Sequence, residues 1–208
     1  MNWLGVRERG DGHSCHDQEN ALNIVAIDFE ASCLPRHGRS FPIEVGIAFG
    51  GRSQSWLIRP HESWAGWDWA AEAQALHGIA LEKLYLEGLP VEAVLDRLVA
   101  AMDGRRAVAD SALDQYWLDT LAQAAGEAAP FSIEHVASLM HEYGAGESRI
   151  GSAVAYADAV QPTRHRAAPE AAWLSALIDH VVGQPHATPA LPLTAMSRCA
   201  SISFGNNL

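Results

Sequence analysis

Ile24-Val25-Ala26-Ile27-Asp28-Phe29-Glu30 is an apolar run that closes on two carboxylates. Four consecutive aliphatic residues followed by an acid read as a buried strand running out to an edge. Side chains alternate across a strand, so Asp28 and Glu30 share one face and Phe29 takes the other. Two carboxylates at the end of an apolar strand repel each other unless a cation lies between them. Hard divalent cations favour such an oxygen-rich site. On these seven residues alone, a plain surface terminus explains the acids equally well.

Working outward, Ile43–Phe49 alternates as a second strand and Ser53–Ile58 as a third, with Gly50-Gly51 as the turn between them. The three strands form an antiparallel meander. Trp64, Trp67 and Trp69 are expected to pack over a sheet edge. Short helices are expected at Trp69–Leu76 and Leu81–Leu86, around the turn His77-Gly78. Val91, Val94, Leu95, Leu98, Val99 and Met102 recur at helical spacing, and Gly104 stops that helix. Ala107-Val108-Ala109 is a short strand ending at Asp110. Helices follow at Asp114–Ala125, Ile133–Tyr143 and Ala171–Val182. Three strands, helices, a strand and further helices make an α/β fold, a mixed β-sheet flanked by helices. Residues 1–20 read as a flexible N-terminal arm, 21–183 as one domain and 184–208 as an extended tail. His13, Cys15 and His16 in the arm match no zinc spacing.

With 208 residues, 49% of them hydrophobic, the chain suits one domain with a sizeable core. The net charge of −11 is the reverse of that of most polyanion-binding proteins. Three cysteines without close pairing (Cys15, Cys33, Cys199) argue for a reducing cytoplasm and against a disulfide framework. No apolar run approaches the length of a bilayer span, and the N-terminus lacks the apolar core of a secretory signal.

Two further segments put chemistry where strands give way to helices. Ala109 to Leu118 carries Asp110 and Asp114, and Arg164-His165-Arg166-Ala167-Ala168-Pro169-Glu170 sets a histidine just before a helix and an acid in its first turn. Pro169 suits that turn, where its missing N–H has no helical partner. Asp119, one turn beyond Asp114, reads as solvated.

In this order, Asp28-Phe29-Glu30, Asp114-x-x-Trp117-Leu118 and His165-Arg166-Ala167-x-Pro169-Glu170 resemble the three motifs of the DnaQ-like exonuclease superfamily, the DEDDh type with a ribonuclease H-like fold. Pro42-Ile43-Glu44-Val45-Gly46 and His77-Gly78-Ile79 resemble its flanking segments. The resemblance covers about residues 23 to 182. It implies a 3′–5′ exonuclease that uses two Mg²⁺ or Mn²⁺ ions held by Asp28, Glu30, Asp114 and Glu170. His165 is then the general base, and the partner is the 3′ end of single-stranded RNA or DNA. Glu44 and His77 are left outside the catalytic set, as a hydrogen-bonded support and a turn residue. Glu170 departs from the family's usual Asp. That departure raises a rival reading, a weakened or inactive nucleic-acid- or protein-binding module on the same fold. A second rival, a phosphatase with Asp28 as covalent nucleophile, lacks supporting motifs. Arg36, Arg39, Arg164 and Arg166 form a small basic rim on an acidic body, which fits short oligonucleotides better than a long duplex. A homodimer is left open.

Overall fold

The computed structural model describes residues 23–183. The arm and the tail expected from the sequence lie outside those residues. A five-stranded mixed sheet carries the chain, with spatial order β3-β2-β1-β4-β5. These strands are β1 (Ile24–Ala31), β2 (Pro42–Phe49), β3 (Arg52–Leu57), β4 (Arg106–Ala109) and β5 (Ile133–His135). The first three form the expected antiparallel meander, while β4 lies parallel to β1 and β5 parallel to β4.

Seven α-helices pack around this sheet among the described residues: α1 (Ala71–His77), α2 (Leu81–Glu87), α3 (Val91–Met102), α4 (Leu113–Ala124), α5 (Val136–Glu142), α6 (Glu147–Val160) and α7 (Ala167–Val182). Strand alternation assigns β1 to two cores. Val25, Ile27 and Phe29 join α3 and α4 on one face. Ile24 and Ala26 join Val108 and helices α5, α6 and α7 on the other. Asp28 and Glu30 continue the second series, so the acids emerge on the α7 face.

Three expectations need correction. Ile133–Tyr143 is not one helix. Its first three residues form the edge strand β5, and Arg106 of β4 grips Glu134 of β5 and Glu142 of α5 through both guanidinium edges. This tertiary clasp overrides the local helical pattern. Helix α6 is not among the expected elements, because it buries only Ala153 and Ala157 and so shows no strong apolar stripe. Val99 stands out from the otherwise buried face of α3 and is exposed. The remaining helix ends differ by a few residues, with α7 starting at Ala167 rather than Ala171.

The tryptophans pack as expected. Trp64 is buried and stacks on Phe41 with ring centroids 5.4 Å apart, while Trp67 and Trp69 lean on the same core.

The first turn of α7 lies on β2. A Cβ added to Gly46 would come within 2.2 Å of the Ala167 carbonyl carbon, so only glycine admits this approach. Beside it, Arg166 binds buried Glu44 through two nitrogens, at 2.8 and 2.7 Å. Glu44 also accepts from Ser55 Oγ and the Ala167 N–H. Gly46→Ala is therefore expected to push the start of α7 off the sheet and to cost about 3 kcal/mol, at the upper end for overpacking. Urea unfolding followed by circular dichroism measures it; an unchanged midpoint would mean that α7 is not held there.

Candidate active site

Strand β1 presents Asp28 and Glu30 beside the first turn of α7, and α4 brings Asp114 from the opposite side. The Phe29 N–H donates to Asp114 Oδ1 at 3.0 Å, tying the helix to the strand between its two acids. Asp114 is only 1% exposed. Oδ2 of Asp28 and Oδ2 of Asp114 are buried and receive no hydrogen bond. Buried carboxylate oxygens without partners are costly.

The electrostatics record how closely the acids gather. Burial, then the charges of Asp114, Glu30, Asp110 and Glu170, pushes the Asp28 carboxyl well above the usual carboxylate range. Burial and Asp110 raise Asp114 likewise. Glu30 is pushed up to about 8 by burial, then Glu44 and Glu170. The four carboxylates singled out from the sequence thus lie within electrostatic reach of Asp28. Among the described residues, however, no three His, Cys, Asp or Glu side chains already stand as ligands around one ion. The donor chemistry still suits a hard divalent cation: all carboxylate oxygens, two of them buried and without a partner.

Glu170 is engaged in another way. Its Oε2 accepts from Arg164 Nε at 2.6 Å, and its Oε1 accepts from the His165 N–H at 2.8 Å. Arg164 in turn lies over the Trp173 ring, 4.3 Å from its centroid. His165 adopts φ 65, left-handed for a non-glycine residue, just before α7. Its side chain is 52% exposed, with Nδ1 4.0 Å from Glu170 Oε1. Asp119 is exposed and pairs with Gln115, as expected of a solvated residue.

Three residues gain weight over the sequence reading. Glu44 is a fully bonded buried carboxylate that anchors α7. Its signal in the sequence is an acid inside an otherwise apolar strand. His77 is not a simple turn residue. It is buried, its Nδ1 accepts from the Ile79 N–H at 3.0 Å, and burial, then Arg166, lowers its imidazole to about 4, so it stays neutral. Asp110, beyond the end of β4, joins the acidic cluster. The basic rim is mostly committed to structure: Arg166 to Glu44, Arg164 to Glu170, and Arg39 to the Gly66 carbonyl, with its own N–H given to Asp68.

No protein-family model matches the chain, and no curated protein matches it. Solved structures do. A 3′-exonuclease captured in 3′-end specific recognition of a histone mRNA stem-loop aligns over 82% of this chain and 72% of its own, with TM-score 0.59 and 15% identity. This chain has a ribonuclease H-like fold. A full-length 3′-exonuclease aligns over 74% of this chain and 58% of its own, with TM-score 0.54 and 16% identity. Exonuclease I in its apo form aligns over 76% and 41%, with TM-score 0.54 and 10% identity. The ribonuclease H-like chain therefore spans well under two thirds of the latter two proteins. Among the described residues no helix is long and apolar enough to cross a membrane.

The raised carboxyls set a pH dependence. Above the ordinary glutamate value of 4.5 and up to about 8, folded Glu30 holds a proton that the unfolded chain has released. Stability from this group is complete below the unfolded value and is lost as pH rises through the folded one, by up to about 1.4 kcal/mol per pH unit. Asp28 and Asp114 act in the same direction. Without divalent cations, the urea midpoint is expected to fall between roughly pH 5 and 8, and Glu30→Gln to flatten the slope. A midpoint that rises over this range in the parent chain would contradict the crowding of the acids.

Proposed function

We propose that this chain is a metal-dependent 3′–5′ exonuclease of the DEDDh type. It hydrolyses the terminal phosphodiester bond of single-stranded RNA or DNA and releases nucleoside 5′-monophosphates. The observation that carries the reading is the pair of buried, partnerless oxygens, Asp28 Oδ2 and Asp114 Oδ2, converging from β1 and α4 on a fold shared with 3′-exonucleases.

In this reading Asp28, Glu30 and Asp114 hold divalent cations, Mg²⁺ or Mn²⁺, with Glu170 as a fourth ligand if Arg164 releases it. When bound, two such ions neutralise charge on the attacking and leaving oxygens of the phosphodiester. The chain's own groups do the rest. The Phe29 N–H fixes Asp114 in its orientation. The exposed His165 imidazole takes the proton of the attacking water as general base. As the water oxygen bonds to phosphorus, the bond to the 3′-oxygen of the preceding nucleotide breaks and that oxygen is protonated. Glu170, bonded to the His165 N–H, keeps the imidazole-bearing loop against α7. The net charge of −11 supports a short strand or a chain end as substrate.

A second reading has its own observation. Both Glu170 oxygens are taken by Arg164 and the His165 N–H, which fits a nucleic-acid-binding module without turnover.

A 5′-labelled single strand, offered as RNA and as DNA with Mn²⁺, separates the two. The parent chain is expected to shorten it one nucleotide at a time from the 3′ end. His165→Ala should slow this by about 10²–10⁴-fold, and Asp28→Asn should abolish it. Mn²⁺ should raise the melting temperature of the parent chain but not of Asp28→Asn. Binding without shortening supports the module, and shortening that survives Asp28→Asn removes the exonuclease reading.

A further inference from the structure

The geometry points to Asp110 as the carboxylate that completes the cation site, with Glu170 serving instead as a positioning residue for the His165 loop. This inference rests on the metal-dependent reading above and names the ligands of that same site.

The sheet register supplies the first observation. Strands β1 and β4 run parallel, with Ile24 opposite Arg106, Val25 opposite Ala107 and Ala26 opposite Val108. The pairing ends there, and Asp110 follows Ala109, the last residue of β4. Neighbouring strands lie about 4.8 Å apart, and residues paired in register share a face. Ala26 and Val108 both lie in the core under α7, alternation turns Asp28 toward that face, and Asp110 lines a small cavity there with Trp173, Leu174 and Leu177 of α7. On its other side Asp28 faces Gly46, which offers no side chain.

The second observation points to a ligand. Asp114 is 1% exposed, yet its Oδ2 receives no hydrogen bond, and neither does Asp28 Oδ2. Among the neighbouring acids, Asp110 acts most strongly on Asp114, and it also acts on Asp28. Asp110 keeps an exposed edge while protein crowds its other sides. A carboxylate in that setting is reachable by a cation from solvent.

The third observation removes the competitor. Glu170 spends Oε2 on Arg164 and Oε1 on the His165 N–H, and Arg164 is itself pinned over Trp173. Drawing Glu170 onto a cation would break these bonds and release the loop whose left-handed residue is His165. The bonds that hold this loop do not involve Asp110. Its side chain is shorter by one methylene and stands just past the end of β4.

Mn²⁺ binding to the full chain, measured by calorimetry without nucleic acid, tests this with Asp28→Asn, Asp110→Asn and Glu170→Gln beside the parent. Asp110→Asn is expected to weaken binding by about tenfold or more while raising the metal-free melting temperature, since it relieves repulsion. Asp110→Ala repeats the measurement should the first variant fold poorly. Glu170→Gln is expected to leave Mn²⁺ affinity unchanged but to slow strand shortening and to loosen the His165 loop, seen as faster amide hydrogen exchange there. Unchanged affinity in Asp110→Asn, or an equal loss in Glu170→Gln, overturns the assignment. If the parent binds no Mn²⁺, or Asp28→Asn binds it as well as the parent, the metal-dependent reading itself fails.

Discussion

The contact between the first turn of α7 and strand β2 governs the rest of the molecule. Gly46 lets the backbone of Ala167 settle directly on the sheet, and the Glu44–Arg166 pair locks that approach from beside it. A buried carboxylate beside a guanidinium is not by itself a strong source of stability. Here it fixes where a helix begins. Because His165 precedes that helix and Glu170 lies in its first turn, their position relative to Asp28 and Glu30 is set by a glycine and an ion pair, none of which belongs to the proposed ligand set.

A second constraint opposes the first. Packing forces Asp28, Glu30, Asp110 and Asp114 into one region, where desolvation and mutual repulsion raise every carboxyl. Native chains seldom retain such stress without use. The cost is met by the two apolar cores on either face of the sheet, built from β1 side chains that alternate between them. One eight-residue strand thus serves both the interior and the charged edge.

Much of this was legible in the sequence, for identifiable reasons. The alternation of β1 and β2, the Gly50-Gly51 turn and the apolar stripe of α3 are local signals, and local signals predict local structure. Asp28, Glu30, Asp114, His165 and Glu170 stand out in the sequence because the first two interrupt an apolar strand and the other three lie at helix starts. What was not legible depends on partners distant in sequence. Strand β5 pairs in parallel with β4 although its own residues look helical, and Arg106 clasps Glu134 and Glu142 beside it. Helix α6 lies on small alanines that carry no periodic weight. The commitment of Arg164 to Glu170 involves neighbours in sequence, yet nothing in their spacing says that the bond forms.

The committed arginines have one more consequence. Arg39, Arg164 and Arg166 spend their guanidinium groups on protein oxygens, in a chain whose net charge is −11. A polyelectrolyte that docks without displacing many condensed counterions gains little entropy from their release. For such a chain, association with a nucleic acid would depend only weakly on ionic strength.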